Sequence, residues 1–312
     1  MEKVSLSLKK CLNRIKEKKI INIKDLYEAK KLNQKNMESL KTLKQLASEY
    51  HPSHAVYISV QNLVSVLGEF FTTFNEFNEL SAKYKKAEEM YLPGYPPTSP
   101  VTKSFFTCWA FFDLQFGINK ETIGSCVIDL KDILQIDSET LELIENLTLS
   151  RPGIYIHKGC RSDGSINLYE IFTNKEYRCY STTTYRGKDG EIWLVRLAPP
   201  PFNINDLYIT ITTPYVISGS NQKDWEDYFS KTILKTKKNP PIVKYSEFMK
   251  YGPVQGYWNK YISLAYNDYA DNVIYLEGLP GETGGSPHSS PGMDINSSAA
   301  GAKEENTKTW KN

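Results

Sequence analysis

The sequence predicts an α+β protein: a helical N-terminal domain, a small barrel-like antiparallel β unit, and C-terminal helices packed back on it. Three observations lead there. Apolar residues step by three or four from residue 55 to about 149, the period becomes two at Arg151-Pro-Gly, and helical spacing returns after Ser220. The 312 residues are 40% hydrophobic, enough for one large or two modest cores. Aromatic residues reach 12% against only four His and five Cys, a balance that favours packing and surface contact over metal chemistry.

Charge divides the chain further. Residues 1–50 carry +7, 51–150 carry −7, 151–280 carry +3 and 281–312 carry −1, so the net +2 conceals a basic arm followed by an acidic helical block. The expected divisions follow these bounds: a basic helical arm (1–50), a helical domain (51–150), the β unit with C-terminal helices (151–280), and a tail (281–312). In the arm, Leu8, Leu12 and Ile15, and then Met37, Leu40, Leu43 and Ala47, form single apolar stripes with Lys on the other faces. Docking on the acidic neighbour is the plain expectation, and binding of an anionic polymer or membrane the alternative.

From Ala55 to about Met90, positions Val56, Val60, Leu63, Leu67, Phe70, Phe74 and Phe77 predict one long helix, capped by Ser53 and bent near Gly68. Four prolines between Tyr91 and Pro100 end it. The run Ser104 to Asp113 is apolar around most of its circumference and reads as a buried helix, too short for a bilayer and interrupted by Asp113. Helices are expected at 121–134 and 138–149, the second capped by Asp137 with Glu139 in its first turn. Strands rich in Ile, Tyr, Val and Trp follow at 153–160, 165–172, 176–182 and 191–198, separated by Ser-Asp-Gly, Thr-Asn-Lys and Gly-Lys-Asp-Gly turns, and 207–216 reads as a returning fifth. Ser220 is the expected cap of a helix with Asp224, Glu226 and Asp227 near its start and Lys235, Lys237 and Lys238 at its end, and Trp225, Phe229 and Ile233 on its buried face. A helix over 254–271 and a short strand, NVIYL, complete the fold. Residues 281–312 have the composition of a disordered tail.

The opening residues have Lys and Arg throughout, which does not fit an export signal, and the cysteines at 11, 108, 126, 160 and 179 lack the pattern of a stapled secreted domain. A cytoplasmic protein with reduced thiols and no membrane contact is expected.

Chemistry has few candidates. Tyr155 and His157 share a strand face, with Cys160 and Cys179 nearby, but zinc would need a fourth ligand that the spacing does not supply. His51-Pro-Ser-His54 reads as loop histidines. Asp129 with Asp132, and Asp224 with Glu226 and Asp227, read as helix positions rather than as a hydrolytic pair. No phosphate loop or nucleophile elbow is present. What stands out is the β unit, where Arg151, Lys158, Arg161, Lys175, Arg178, Arg186, Lys188 and Arg196 are interleaved with tyrosines and Trp193. Cations beside flat rings suit a single-stranded nucleic-acid platform, although core rings and snorkelling arginines explain the same pattern.

The segments SPVTKSFFTCWAFFDLQFG, SRPGIYIHKGC, GKDGEIWLVRLAPP and TITTPYVI, in this order and followed by a Trp-containing helix, resemble a family of uncharacterised bacterial proteins with a helical N-terminal half and a compact β unit. The likeness covers about 90–280 and implies architecture without any catalytic residue.

These readings predict a non-catalytic intracellular binding or regulatory protein. Its contact surface would comprise Tyr155, His157, Arg178, Tyr185, Arg186 and Arg196, with another protein as partner and neither cofactor nor metal. Single-stranded nucleic-acid binding through the arm and β unit, and a metal-dependent hydrolase centred on His157, are the alternatives.

Overall fold

A computed structural model describes residues 3–18, 43–72, 74–92, 100–134, 136, 138–199, 206–233 and 240–281. The expected α+β class is what it shows. Helix α1 (Val4–Lys18) lies against the acidic block: Leu8 is buried, and Val4 and Leu12 pack on the same core. Its first turn is held by the Glu121 carboxylate, which accepts from the amides of Val4 (2.7 Å) and Ser5 (3.1 Å), while the Ser5 hydroxyl sits 2.8 Å from both Glu121 and Asp129. A carboxylate satisfies amides that a helix start leaves unpaired and faces the positive end of its dipole. The described part of the basic arm therefore docks through acids at a helix end. Met37, Leu40 and the rest of 19–42 lie outside the described residues, and α2 (Leu43–Glu49) follows with Leu46 buried.

Helix α3 (Pro52–Thr72) begins three residues earlier than expected, with Pro52 in its first turn. Ser53, the expected cap, lies inside the first turn, and the His51 ring before it accepts from the Ser53 amide through Nδ1 at 3.3 Å. The single long helix expected to Met90 is two helices, α3 and α4 (Asn78–Tyr91), separated by a 3-10 turn at Asn75–Phe77 rather than a bend at Gly68. The break has a packing reason. Residues six apart on one helix diverge by about 120°, whereas here Phe71 and Phe77 meet at 4.9 Å and Phe77 meets Phe116 at 5.2 Å.

Helix α5 (Lys103–Phe112) is the buried aromatic helix, capped by Thr102 and followed by α6 (Ile123–Asp129), α7 (Lys131–Leu134) and α8 (Ser138–Leu149). Asp137, the expected cap of α8, lies outside the described residues.

The strands are β1 (Arg151–Cys160), β2 (Ile166–Glu170), β3 (Lys175–Ser181), β4 (Ile192–Ala198), β5 (Tyr208–Thr210) and β6 (Tyr215–Ser218), then β7 (Tyr266–Ala270) and β8 (Val273–Glu277). Their order is β1-β2-β3-β5-β4-β6-β8-β7, and β1 also pairs with β4, so the first five close into a small barrel. The expected antiparallel unit of four or five strands is thus a mixed sheet of eight among the described residues, with β3–β5 and β6–β8 parallel. The run 207–216 divides at Ile211–Pro214: β5 closes the barrel and β6 leaves it.

Helix α9 (Gln222–Ile233) is capped by Asn221, whose side chain accepts from the amides of Lys223 (2.9 Å) and Asp224 (3.2 Å). Ser220, the expected cap, instead accepts from the Trp225 indole at 3.1 Å. Lys235, Lys237, Lys238 and the C-terminal tail from 282 lie outside the described residues. Helix α10 (Pro241–Tyr251) was not expected, because Pro240-Pro241 reads equally as a stop and as a first helical turn. The expected helix over 254–271 is helix α11 (Tyr257–Ala265) followed by strand β7.

Alternation sorts the β side chains into two cores. Ile154, Ile156, Ile192, Leu194, Tyr215 and Ile217 face the helices, and Tyr155, Ile166, Leu168, Cys179, Trp193, Val195 and Leu197 fill the barrel. No helix of the described residues is long and apolar enough to cross a membrane.

Glu121→Ala removes the acceptor of α1 and should cost about 1.5–3 kcal/mol, the range for hydrogen bonds to a charged group. Urea unfolding measures the loss, and hydrogen exchange at the α1 amides should rise selectively.

Candidate functional site

Of the six residues expected on a contact surface, three are interior: Tyr155 is 2%, His157 0% and Arg196 1% exposed. Strand alternation explains each. Tyr155 and His157 point into the barrel, while Arg196 shares the helix-facing side with Leu194. Arg178 and Arg186 are exposed and converge on one turn, Arg178 on Asp163 and Ser165 and Arg186 on the Gly164 carbonyl at 3.3 Å. Tyr185 is half-buried and donates to Glu191 at 2.7 Å. The six residues therefore do not form one surface.

His157 is packed 4.9 Å from the Trp193 ring, and its Nδ1 accepts from the Gly159 amide at 3.1 Å. Burial lowers its pKa, opposed by the Arg186 carbonyl and by Glu191 and Asp189. Gly187 closes over it with φ +75°, and a Cβ there would lie 2.3 Å from Trp193 and 2.8 Å from His157. Among the described residues no group of three His, Cys, Asp or Glu side chains could hold a metal. The candidate stacking rings are also engaged: Tyr180 stacks on His51 at 4.4 Å, and Tyr177 packs on Tyr155 and Tyr208.

Two buried charge clusters were not anticipated as such. At one end of the barrel Glu170, 0% exposed, forms a forked pair with Arg151 (2.5 and 3.0 Å) and accepts from Thr173 (2.6 Å) and Tyr245 (3.3 Å). Helix α10 supplies Tyr245, whose ring also stacks on Phe172 at 4.3 Å. Gly153 is a spatial requirement, since a Cβ would lie 2.5 Å from the Tyr155 hydroxyl and 2.6 Å from Glu170. The second cluster joins sheet to helices. Arg196 of β4 pairs with Asp113 at the end of α5, both 1% exposed, and Lys250 of α10 lies 3.9 Å from the other Asp113 oxygen. That oxygen accepts no hydrogen bond, since Lys250 stands beyond hydrogen-bond distance of it and donates to the Thr148 carbonyl. Burial pushes the Asp113 pKa up, with Arg196 and then Lys250 opposing, and burial pulls the Lys250 ammonium down to about 8 despite Asp113.

Above this second cluster opens a cleft of about 700 Å³. Trp109 and Asp113 of α5, Lys83 of α4, and Lys244, Phe248 and Tyr251 of α10 line it, together with Lys120 and the 252–256 turn. The turn needs its glycines: Gly252 and Gly256 have φ +64° and +77°, and a Cβ on Gly252 would meet Tyr257 at 2.4 Å. The signal for this site was present in the sequence as single charges inside apolar runs, Asp113 after FFTCWAFF and Arg196 within IWLVRLA.

Comparisons with protein-family models, with curated proteins and with solved structures found no match.

Arg196→Met leaves Asp113 buried without its hydrogen-bonded partner and should cost about 3–5 kcal/mol, read by denaturant unfolding; the double variant with Asp113→Leu should recover most of it. Lys250 gives a pH signature. Its folded pKa, about 8, lies below the unfolded value, so the unfolded chain binds more protons between the two. Stability contributed by this group should therefore rise as pH increases from about 8 towards 10. Lys250→Met should abolish that rise in pH-dependent unfolding.

Proposed function

We propose that this chain is a binding protein for a small polar molecule, and that the cleft over Asp113, Arg196 and Lys250 is its site. The observation supporting this is the cleft's construction: about 700 Å³ of concave space, aromatic on one wall, with Asp113, Lys83, Lys120 and Lys244 as charged groups in its lining. Small-molecule sites commonly combine such a volume with a few fixed polar groups. The reading keeps the binding role that composition suggested and moves it away from the barrel face, where Tyr155, His157 and Arg196 are interior.

Five tryptophans make the location testable. Protein labelled with 5-fluorotryptophan, its signals assigned by Trp→Phe variants, is screened by fluorine NMR against a library of polar fragments. Trp109 lines the cleft, whereas Trp193 lies under Tyr185 in the barrel. Hits should shift Trp109 and leave Trp193 in place. Hits that shift only Trp193 would return the site to the β unit, and a library without effect on Trp109 would overturn the proposal.

A further inference from the structure

The charges around the cleft do not balance. Glu79 is committed to Lys83 at 2.7 Å and to the Gly117 amide at 3.2 Å. Asp113 is committed to Arg196, and Glu121 to the start of α1. Lys250 meets a carbonyl, the Tyr251 ring and an acid that is already paired. That leaves Lys244, half-buried on α10, and Lys120, exposed on the facing loop, with no acid partner among the described residues. Glu247, exposed, is the one lining carboxylate outside these pairs among the described residues. A concave wall of low dielectric concentrates such a surplus into a local positive potential.

Resting on the binding role proposed above, we infer that the cleft takes a small organic anion with a doubly charged headgroup, held between Lys244 and Lys120. Lys250, behind the paired Asp113, leaves one further positive charge beneath the cleft, and Trp109 and Phe248 supply apolar wall for the body of the ligand. The volume suits a sugar phosphate, a mononucleotide or a compact polycarboxylate. All share the dianionic headgroup that the lysines would recognise. The linkage to Lys250 is reciprocal: an anion in the cleft favours its protonated form and raises its lowered pKa.

The test titrates the fluorotryptophan-labelled full chain with adenosine 5′-monophosphate, glycerol 3-phosphate and citrate, and with adenosine and glycerol as uncharged counterparts. Lys244→Glu and Lys120→Glu, at positions outside the buried clusters, are run in parallel after circular dichroism confirms that they fold. At low salt one or more of the anions should shift Trp109, with affinity falling about tenfold or more in each variant and with rising salt. Binding by the phosphates and not by citrate would identify phosphate esters as the ligand source, and the reverse would identify polycarboxylates. Adenosine or glycerol binding as tightly as its phosphate, with no loss in the variants, would overturn the anion assignment while leaving the cleft as a binding site. No Trp109 shift from any of these compounds also overturns the anion assignment, and the binding role itself falls only if the polar-fragment library is equally silent.

Discussion

The pairing of Arg196 with Asp113 is the constraint on which the arrangement of helices over sheet depends. Strand β4 is buried along its whole length, so a guanidinium at its centre must find an anion inside the protein. Asp113 sits at the C-cap of α5, where the helix dipole disfavours negative charge. Neither group is stable there without the other. The pair anchors one end of α5 to β4, and at the other end Thr102 bonds the Tyr215 hydroxyl of β6 at 2.8 Å. A helix of this length spans about 15 Å, so two anchors fix both its position and its direction across the sheet.

Helix α10 then ties the two buried clusters together. Tyr245 and Met249 face inward, and Tyr245 closes the barrel end by contacting Glu170 and Phe172. Lys250 turns to Asp113, and Lys244, Phe248 and Tyr251 line the cleft. Movement of this one helix would unpair the barrel's acid, withdraw a cation from beneath Asp113 and open the cleft wall. Its neighbour, the 252–256 turn, has little freedom of its own, because the indole of Trp258 donates to the Phe248 carbonyl at 3.0 Å and the Gly252 amide donates to the same carbonyl at 2.8 Å.

Periodicity made the fold class legible, since the change from 3.6 to 2 at Arg151 marks where helices give way to strands. It failed where one run serves two elements. The apolar stretch 207–216 carries the alternation of a single strand, and nothing local says that Pro214 separates a barrel strand from one outside it. The helix from residue 55 looked continuous because Phe74 and Phe77 fit the stripe, while the Phe71–Phe77 contact that breaks it is tertiary. The candidate surface failed for a related reason. Alternation places Tyr155 and His157 on one face, but only barrel closure by β5 makes that face an interior. Arg196 was legible in principle: a lone charge in IWLVRLA implies a buried partner, and Asp113, alone after an apolar run, is its counterpart.

The opposite charges of arm and helical block resolve into individual contacts with an uneven result. Four acids of the block are spent on structure: Glu121 and Asp129 on the start of α1, Asp113 on Arg196, Glu79 on Lys83 and a loop amide. The cations near the cleft are not all spent in return. Lys120 shows this most clearly, because it occupies a left-handed conformation at φ +53° in the loop that joins Gly117 to Glu121. A side chain costs about 1–2 kcal/mol there, which glycine would avoid. The loop therefore bears a conformational cost for a lysine that pairs with no acid among the described residues. Its two ends do different work: Glu121 holds α1 on one side, and Lys120 with Gly117 lines the cleft on the other.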